Sequence, residues 1–119
     1  MAVNLTRRAL AALVLALAPL ATLAETRLMM VDEPGCPYCA LWDAEVGDVY
    51  ARTEEGRRAP LMRVDIRDIT NDGALEGPVL FTPTFVLLVD GREAGRIEGY
   101  PGEDFFWGLL GRMLDGAGA

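Results

Sequence analysis

EPGCPYCALWD, residues 33–43, holds both cysteines of the chain, Cys36 and Cys39, with only Pro37 and Tyr38 between them. As a staple the pair is poor. A disulfide closing so small a loop is worth about 2 kcal/mol, against about 4.7 kcal/mol for a hundred-residue loop. As a redox pair the spacing makes sense. Pro37 fits the first turn of a helix, where its missing N–H is not needed. From Tyr38 onward Leu41, Trp42, Val46, Val49 and Tyr50 recur at three- and four-residue steps, the period of an amphipathic helix. Cys36 then stands at the helix N-terminus, where unpaired N–H groups and the helix dipole favour a thiolate. The thiolate is the attacking species in disulfide exchange. Cys39, one turn deeper, is placed to resolve a mixed disulfide formed at Cys36, and Pro37 stiffens the loop between them.

Working outward, Arg27 to Val31 reads as a buried first strand, broken by Asp32-Glu33-Pro34-Gly35. The helix fades near Arg52, and Thr53 to Ala59 reads as a polar loop. Leu61 to Ile66 alternates like a strand with one buried face. Asn71-Asp72-Gly73 marks a turn, and 74–80 is ambiguous, with a short helix as one reading. Phe85 to Val89 is a continuous apolar run, the mark of a central strand buried on both faces. Asp90-Gly91 is a hairpin signal, and Arg92 to Glu98 supplies the partner strand. Glu103-Asp104 begins a last helix whose apolar side carries Phe105, Phe106, Leu109, Leu110, Met113 and Leu114. Trp107 is expected to face outward and Trp42 to lie in the core. The order β-α-β-(α)-β-β-α predicts an α/β fold of the thioredoxin type, a four-stranded mixed sheet with helices on both faces. Thr82-Pro83-Thr84 precedes the buried strand, where a proline cannot extend the ladder. A cis Thr82-Pro83 bond would turn the chain toward the Cys36 helix and offer backbone groups to a substrate.

The 119 residues suit one domain. Histidine and lysine are absent. All 11 basic residues are arginine, against 18 acidic ones. The excess of negative charge argues against nucleic-acid partners and anionic membrane surfaces. A Ser-His-Asp triad or a histidine metal cage cannot be built from this chain. Zinc wants four ligands and only two thiolates are available, so no metal site is expected, although two thiolates could hold Cu(I). Residues 1–24 read as a secretory signal: Arg7 and Arg8, an apolar run from Ala9 to Leu17, and small residues ending at Ala24. Cleavage there leaves 25–119 as a single domain, and the loss of two arginines takes the formal charge from −7 to −9. The expected destination is the periplasm, where disulfides persist.

CPYC at a strand-to-helix junction, TPTFV, GREAGRIEGYPG and a closing helix together resemble a thioredoxin-fold oxidoreductase. The longer strings EPGCPYCALWDAEVG, EGRRAP, FTPTFVL and EGYPGEDFFW are similar to those of SoxS-like periplasmic thioredoxins of sulfur-oxidation gene clusters. The resemblance implies a thiol reductant with no cofactor beyond its thiols. Its implied partners are a membrane thiol-disulfide electron donor and a protein disulfide substrate, the sulfur carrier SoxYZ. It implies that Cys36 and Cys39 form the redox pair and that Pro83 faces the substrate, with Thr82, Gly35, Pro37 and Tyr38 beside it. Gly35 stands where thioredoxins usually carry tryptophan, leaving Cys36 open to a protein partner. CPYC is the glutaredoxin pair, but no glutathione-binding signature follows it. With no histidine in the loop, a potential in the reducing half of the range from roughly −270 to −120 mV is expected. Asp32 and Glu33 are read as solvated loop residues. No cysteine is left over, so a covalent dimer would have to sacrifice the active pair; a monomer is the expectation, with the oligomeric state otherwise open. A general disulfide oxidase or isomerase and a Cu(I)-binding module remain the alternatives.

Overall fold

The computed structural model describes residues 24–70 and 72–119; the expected signal peptide, up to residue 23, and Asn71 of the expected turn lie outside them. Four strands, β1 (Thr26–Asp32), β2 (Leu61–Asp65), β3 (Thr84–Val89) and β4 (Arg92–Glu98), form one sheet in the order β2-β1-β3-β4. β1 pairs parallel with β2 and antiparallel with β3, and β3 pairs antiparallel with β4. This is the mixed sheet read from the sequence. The parallel pair needs a crossover, which the first helical segment supplies. The β3–β4 hairpin turns at Asp90 and Gly91, both at positive φ (51° and 78°), as a tight two-residue hairpin requires.

The central strands are apolar on both sides. Leu28 and Met30 of β1 join Phe85 and Leu87 of β3 under the helices, while Met29, Val31 and Val86 point the other way. A one-residue slip of register would exchange these two sets. The first set packs against Trp42, Val46 and Tyr50 and against Phe106, Leu110 and Leu114. Trp42 lies 5.3 Å from Phe85 and 5.8 Å from Phe106 between ring centroids, in tilted and edge-on contacts. Both long helical segments therefore share one face. The other face is covered by the chain from the 3-10 turn (Ile66–Asp68) through Ile69, Leu75 and Val79.

The first helical segment runs without a break from α1 (Pro37–Trp42) through a π-helical stretch (Asp43–Gly47) into α2 (Asp48–Tyr50). Gly35, just before it, has φ +78°, and a Cβ added there would meet no atom within 4 Å. Its glycine is required by backbone conformation as well as leaving the approach to Cys36 open.

Three local readings are corrected. Residues 53–59 are not a loop but hold a short helix, α3 (Glu54–Arg58). Thr53 caps it by accepting from the Gly56 N–H at 3.0 Å, with glutamates in the first turn and arginines in the last. The buried Tyr50 hydroxyl donates to the Ala59 carbonyl at 2.6 Å and fixes its exit. Residues 74–80 form no helix. Their backbone groups are answered by β4 instead: Glu93 N–H donates to Ala74, Glu76 N–H to the Glu93 carboxylate, and Arg96 to the carbonyls of Gly77 and Pro78. In the last helix, α4 (Glu103–Gly116), Phe105 faces out at 69% exposure, whereas Trp107 is partly buried and stacked on Tyr50. The helical stripe runs through Phe106, Leu110 and Leu114, and Phe105 falls outside it.

Two predictions follow from these contacts. Arg96 hydrogen-bonds foremost to Glu93 and holds its carboxyl below the ordinary value of 4.5. Because the folded value is the lower one, the stabilisation is complete above 4.5 and is lost as pH falls through the folded value. Arg96→Met should lower unfolding free energy at pH 7 by about 2–3 kcal/mol. It should also flatten the acid limb of stability against pH, read by denaturant titration. Gly35→Ala should cost about 1 kcal/mol by the same measurement, and Gly35→Asn less, because asparagine tolerates positive φ.

Candidate active site

β1 delivers the chain to the end of the sheet, and the Glu33–Gly35 turn carries it into α1. Cys36 is the residue that caps this helix. Its backbone is extended (φ −78°, ψ 109°), and its Sγ accepts the Cys39 N–H at 3.2 Å. One of the orphan donors of the helix start is thus aimed at the sulfur, as the sequence reading required. Pro37 occupies the first turn, and Cys36 and Cys39 are joined as a disulfide with Cα atoms 5.3 Å apart. Cys36 is 9% exposed and Cys39 4%, so the first cysteine is the more accessible of the two.

Both cysteines line an open cleft of about 590 Å³. Gly35, Pro37 and Ala40 line it beside them, with Asp32, Glu33, Asp43, Arg63 and Asp65 supplying its charge. Asp32 is not a free solvated residue. Arg63 of β2 donates to Asp32 at 2.7 and 3.0 Å and to Asp43 of the π stretch at 2.6 and 3.1 Å. Glu33 accepts the Thr82 hydroxyl at 2.7 Å, so the loop before Cys36 is tied to the loop before β3.

The Thr82-Pro83 bond is cis. Pro83 is buried, and its carbonyl accepts the Gly99 N–H at 2.7 Å. That carbonyl is therefore taken within the protein, as is the hydroxyl of Thr82. Tyr38 is 60% exposed and lines a second cleft of about 300 Å³ with Glu98, Gly99, Tyr100 and Pro101. Tyr100 is buried beside Phe106, and desolvation, with the charges of Glu45 and Glu103, pushes its hydroxyl up to about 12. Of the residues singled out from the sequence, Gly35, Cys36, Pro37 and Cys39 share one cleft. Thr82 joins it through Glu33, while Tyr38 and Pro83 meet the Gly99 loop.

Arg63 and Asp43 were not legible as site residues. Arg63 pairs in register with Met30, so it stands on the helix-covered face of the sheet, and Asp43 lies one turn past Cys39. The alternation of β2 was the available signal, because Arg63 falls on the same side as the core-facing Leu61. Among the described residues no cluster of three or more histidine, cysteine or acidic side chains could hold a metal ion, and no helix is long and apolar enough to cross a membrane.

The chain matches no family model and no curated protein sequence. Solved structures do match. The periplasmic thioredoxin SoxS from Paracoccus pantotrophus, in its reduced form, is 54% identical, with a TM-score of 0.74 over 78% of this chain and 99% of that one. A thioredoxin from Fasciola hepatica (22% identity, TM-score 0.57, 75% of this chain and 81% of that one) shares the fold. So does one from Malassezia sympodialis, at 16% identity and a TM-score of 0.55 over 75% of each chain. More than half of the residues agree with SoxS along nearly its whole length, and the Cys36–Cys39 pair stands at the head of the helix: the chain belongs to the SoxS-like thioredoxins and is a thiol-disulfide oxidoreductase.

Proposed function

We propose that this protein is exported to the periplasm, residues 1–24 being removed as a signal and 25–119 remaining as one domain. There it works as a reductant that keeps a sulfur-carrier protein of the SoxYZ kind in its thiol state. The export and compartment rest on the Arg7-Arg8 and apolar-run pattern and on the periplasmic character of the Paracoccus relative. The observation that carries the chemistry is the Cys39 N–H directed at the Cys36 sulfur at the mouth of an open cleft.

In this reading Cys36 is the nucleophile. Its thiolate attacks one sulfur of the partner's disulfide. The new bond joins the two sulfurs, the partner's S–S bond breaks, and the leaving sulfur departs with the electron pair and takes a proton. Cys39 then gives up its proton and attacks the Cys36 sulfur. The Cys36–Cys39 bond forms and the second partner thiol is freed. Two electrons pass to the partner, and a membrane thiol-disulfide donor restores the dithiol. Pro83, Thr82, Gly35, Pro37 and Tyr38 frame the approach. The Glu33–Thr82 hydrogen bond supports that role by keeping the two loops together. Thiols alone account for the chemistry, so no further cofactor is proposed.

Cys36→Ser should abolish reduction of a protein disulfide. Cys39→Ser should accumulate mixed disulfides, visible as a mass shift on a non-reducing gel. Full activity in Cys36→Ser would overturn the mechanism. Recovery of a sulfur-carrier subunit on Cys39→Ser from periplasmic extract supports the partner, whereas a broad set of secreted proteins argues for a general role.

The charge of the cleft also sorts small substrates. Four carboxylates line it with one guanidinium. Cystamine, a cationic disulfide, should therefore be reduced faster than anionic glutathione disulfide at low salt, with the difference shrinking as ionic strength rises.

A further inference from the structure

We propose that Arg63 is a positioning residue of the exchange reaction: clamped by Asp32 and Asp43 on the wall of the cleft that both cysteines line, its guanidinium offsets the surrounding carboxylates and sustains the thiolate at Cys36 in the reduced protein. The inference rests on the assignment of Cys36 as nucleophile.

Three elements converge on this side chain. Asp32 ends β1, Asp43 opens the π stretch after α1, and Arg63 projects from β2 between them. The side chains of Arg63, Asp32 and Asp43 are 42%, 24% and 43% exposed. Ion pairs this wet contribute little to folding, so a purely stabilising role explains the arrangement poorly. Their location explains it better, because all three line the cleft that contains Cys36 and Cys39. The π-helical stretch begins at Asp43, so the departure from α-helical winding starts at the residue that meets Arg63.

The other charges of the cleft are already answered elsewhere. Asp65 of β2 is bound by Arg67 from the 3-10 turn, whose hydrogen bonds lower its carboxyl to about 2. Glu33, in the loop before Cys36, accepts from Thr82, and Arg67 of the 3-10 turn lies close enough to interact with its charge. Arg63 is the only cation among the residues that line the cleft. Hydrogen bonds that it donates to Asp43 foremost, and to Asp32, hold its pKa above the ordinary value against the opposing effect of burial, so it stays charged at every working pH. With Arg63 in place the clamp carries one net negative charge. Without it two unpaired carboxylates line the cleft that both cysteines line, and like charge disfavours a thiolate.

The test follows alkylation of reduced protein by iodoacetamide against pH, with the modified cysteine identified by mass. In the wild type, alkylation should occur first at Cys36 with a midpoint below the ordinary thiol value of about 8.5. Arg63→Met should raise that midpoint by roughly one unit, slowing alkylation at pH 7 about tenfold. Arg63→Lys should restore most of it. Asp43→Asn, which removes a carboxylate and leaves Arg63 held by Asp32, should move the midpoint the opposite way. Unchanged midpoints in Arg63→Met and Asp43→Asn, with wild-type behaviour intact, overturn the inference alone. A wild type that alkylates first at Cys39, or with an ordinary midpoint, overturns the nucleophile assignment and this inference together.

Discussion

The contact of Trp42 with Phe85 and Phe106 holds the working end of this molecule in place. Trp42 is fully buried, one turn beyond Cys39, and touches β3 and α4 at once. Through it the redox helix is docked on the central strands, and the helix start is held over the end of the sheet. The same three aromatics tie the last helix to the first, so the residues that do no chemistry fix where the chemistry happens. A close-packed cluster of this kind tolerates little displacement.

On that frame the reactive end is assembled from short pieces far apart in the chain. The turn at Gly35 aims the chain into α1, and Cys36 caps it with sulfur. Glu33 reaches Thr82 across 49 positions of sequence, and Arg63 reaches back to Asp32 and forward to Asp43. Each link is a side-chain hydrogen bond with a charged partner, which is directional and stronger than a neutral one. Together they hold the loop before Cys36, the loop before β3 and the first helix in one arrangement around the sulfurs.

Much of this was legible in the residues. The strand order, the hairpin at Asp90-Gly91 and the helix from Pro37 each carry a local signature: period, turn chemistry or a proline at a helix start. What escaped was set by tertiary contact. The α3 helix hides in a polar string, because Thr53 capping and the Tyr50–Ala59 hydrogen bond decide it rather than an apolar stripe. The segment 74–80 loses its helix to Glu93 and Arg96, which satisfy its backbone from another strand. Phe105 and Trp107 exchanged their expected places because Tyr50 offers a stacking surface that no helical period announces. Arg63 looked like one polar position in an alternating strand until the register placed it beside Met30.

The sulfur cap has a consequence for how the protein changes oxidation state. The group that anchors the opening turn of the helix is the very atom that gains or gives up a covalent neighbour. A thiolate accepts an N–H at least as well as a disulfide sulfur does, so the anchor survives both halves of the cycle. Reduction and reoxidation of the Cys36–Cys39 bond therefore leave the first turn of the helix with the same sulfur acceptor.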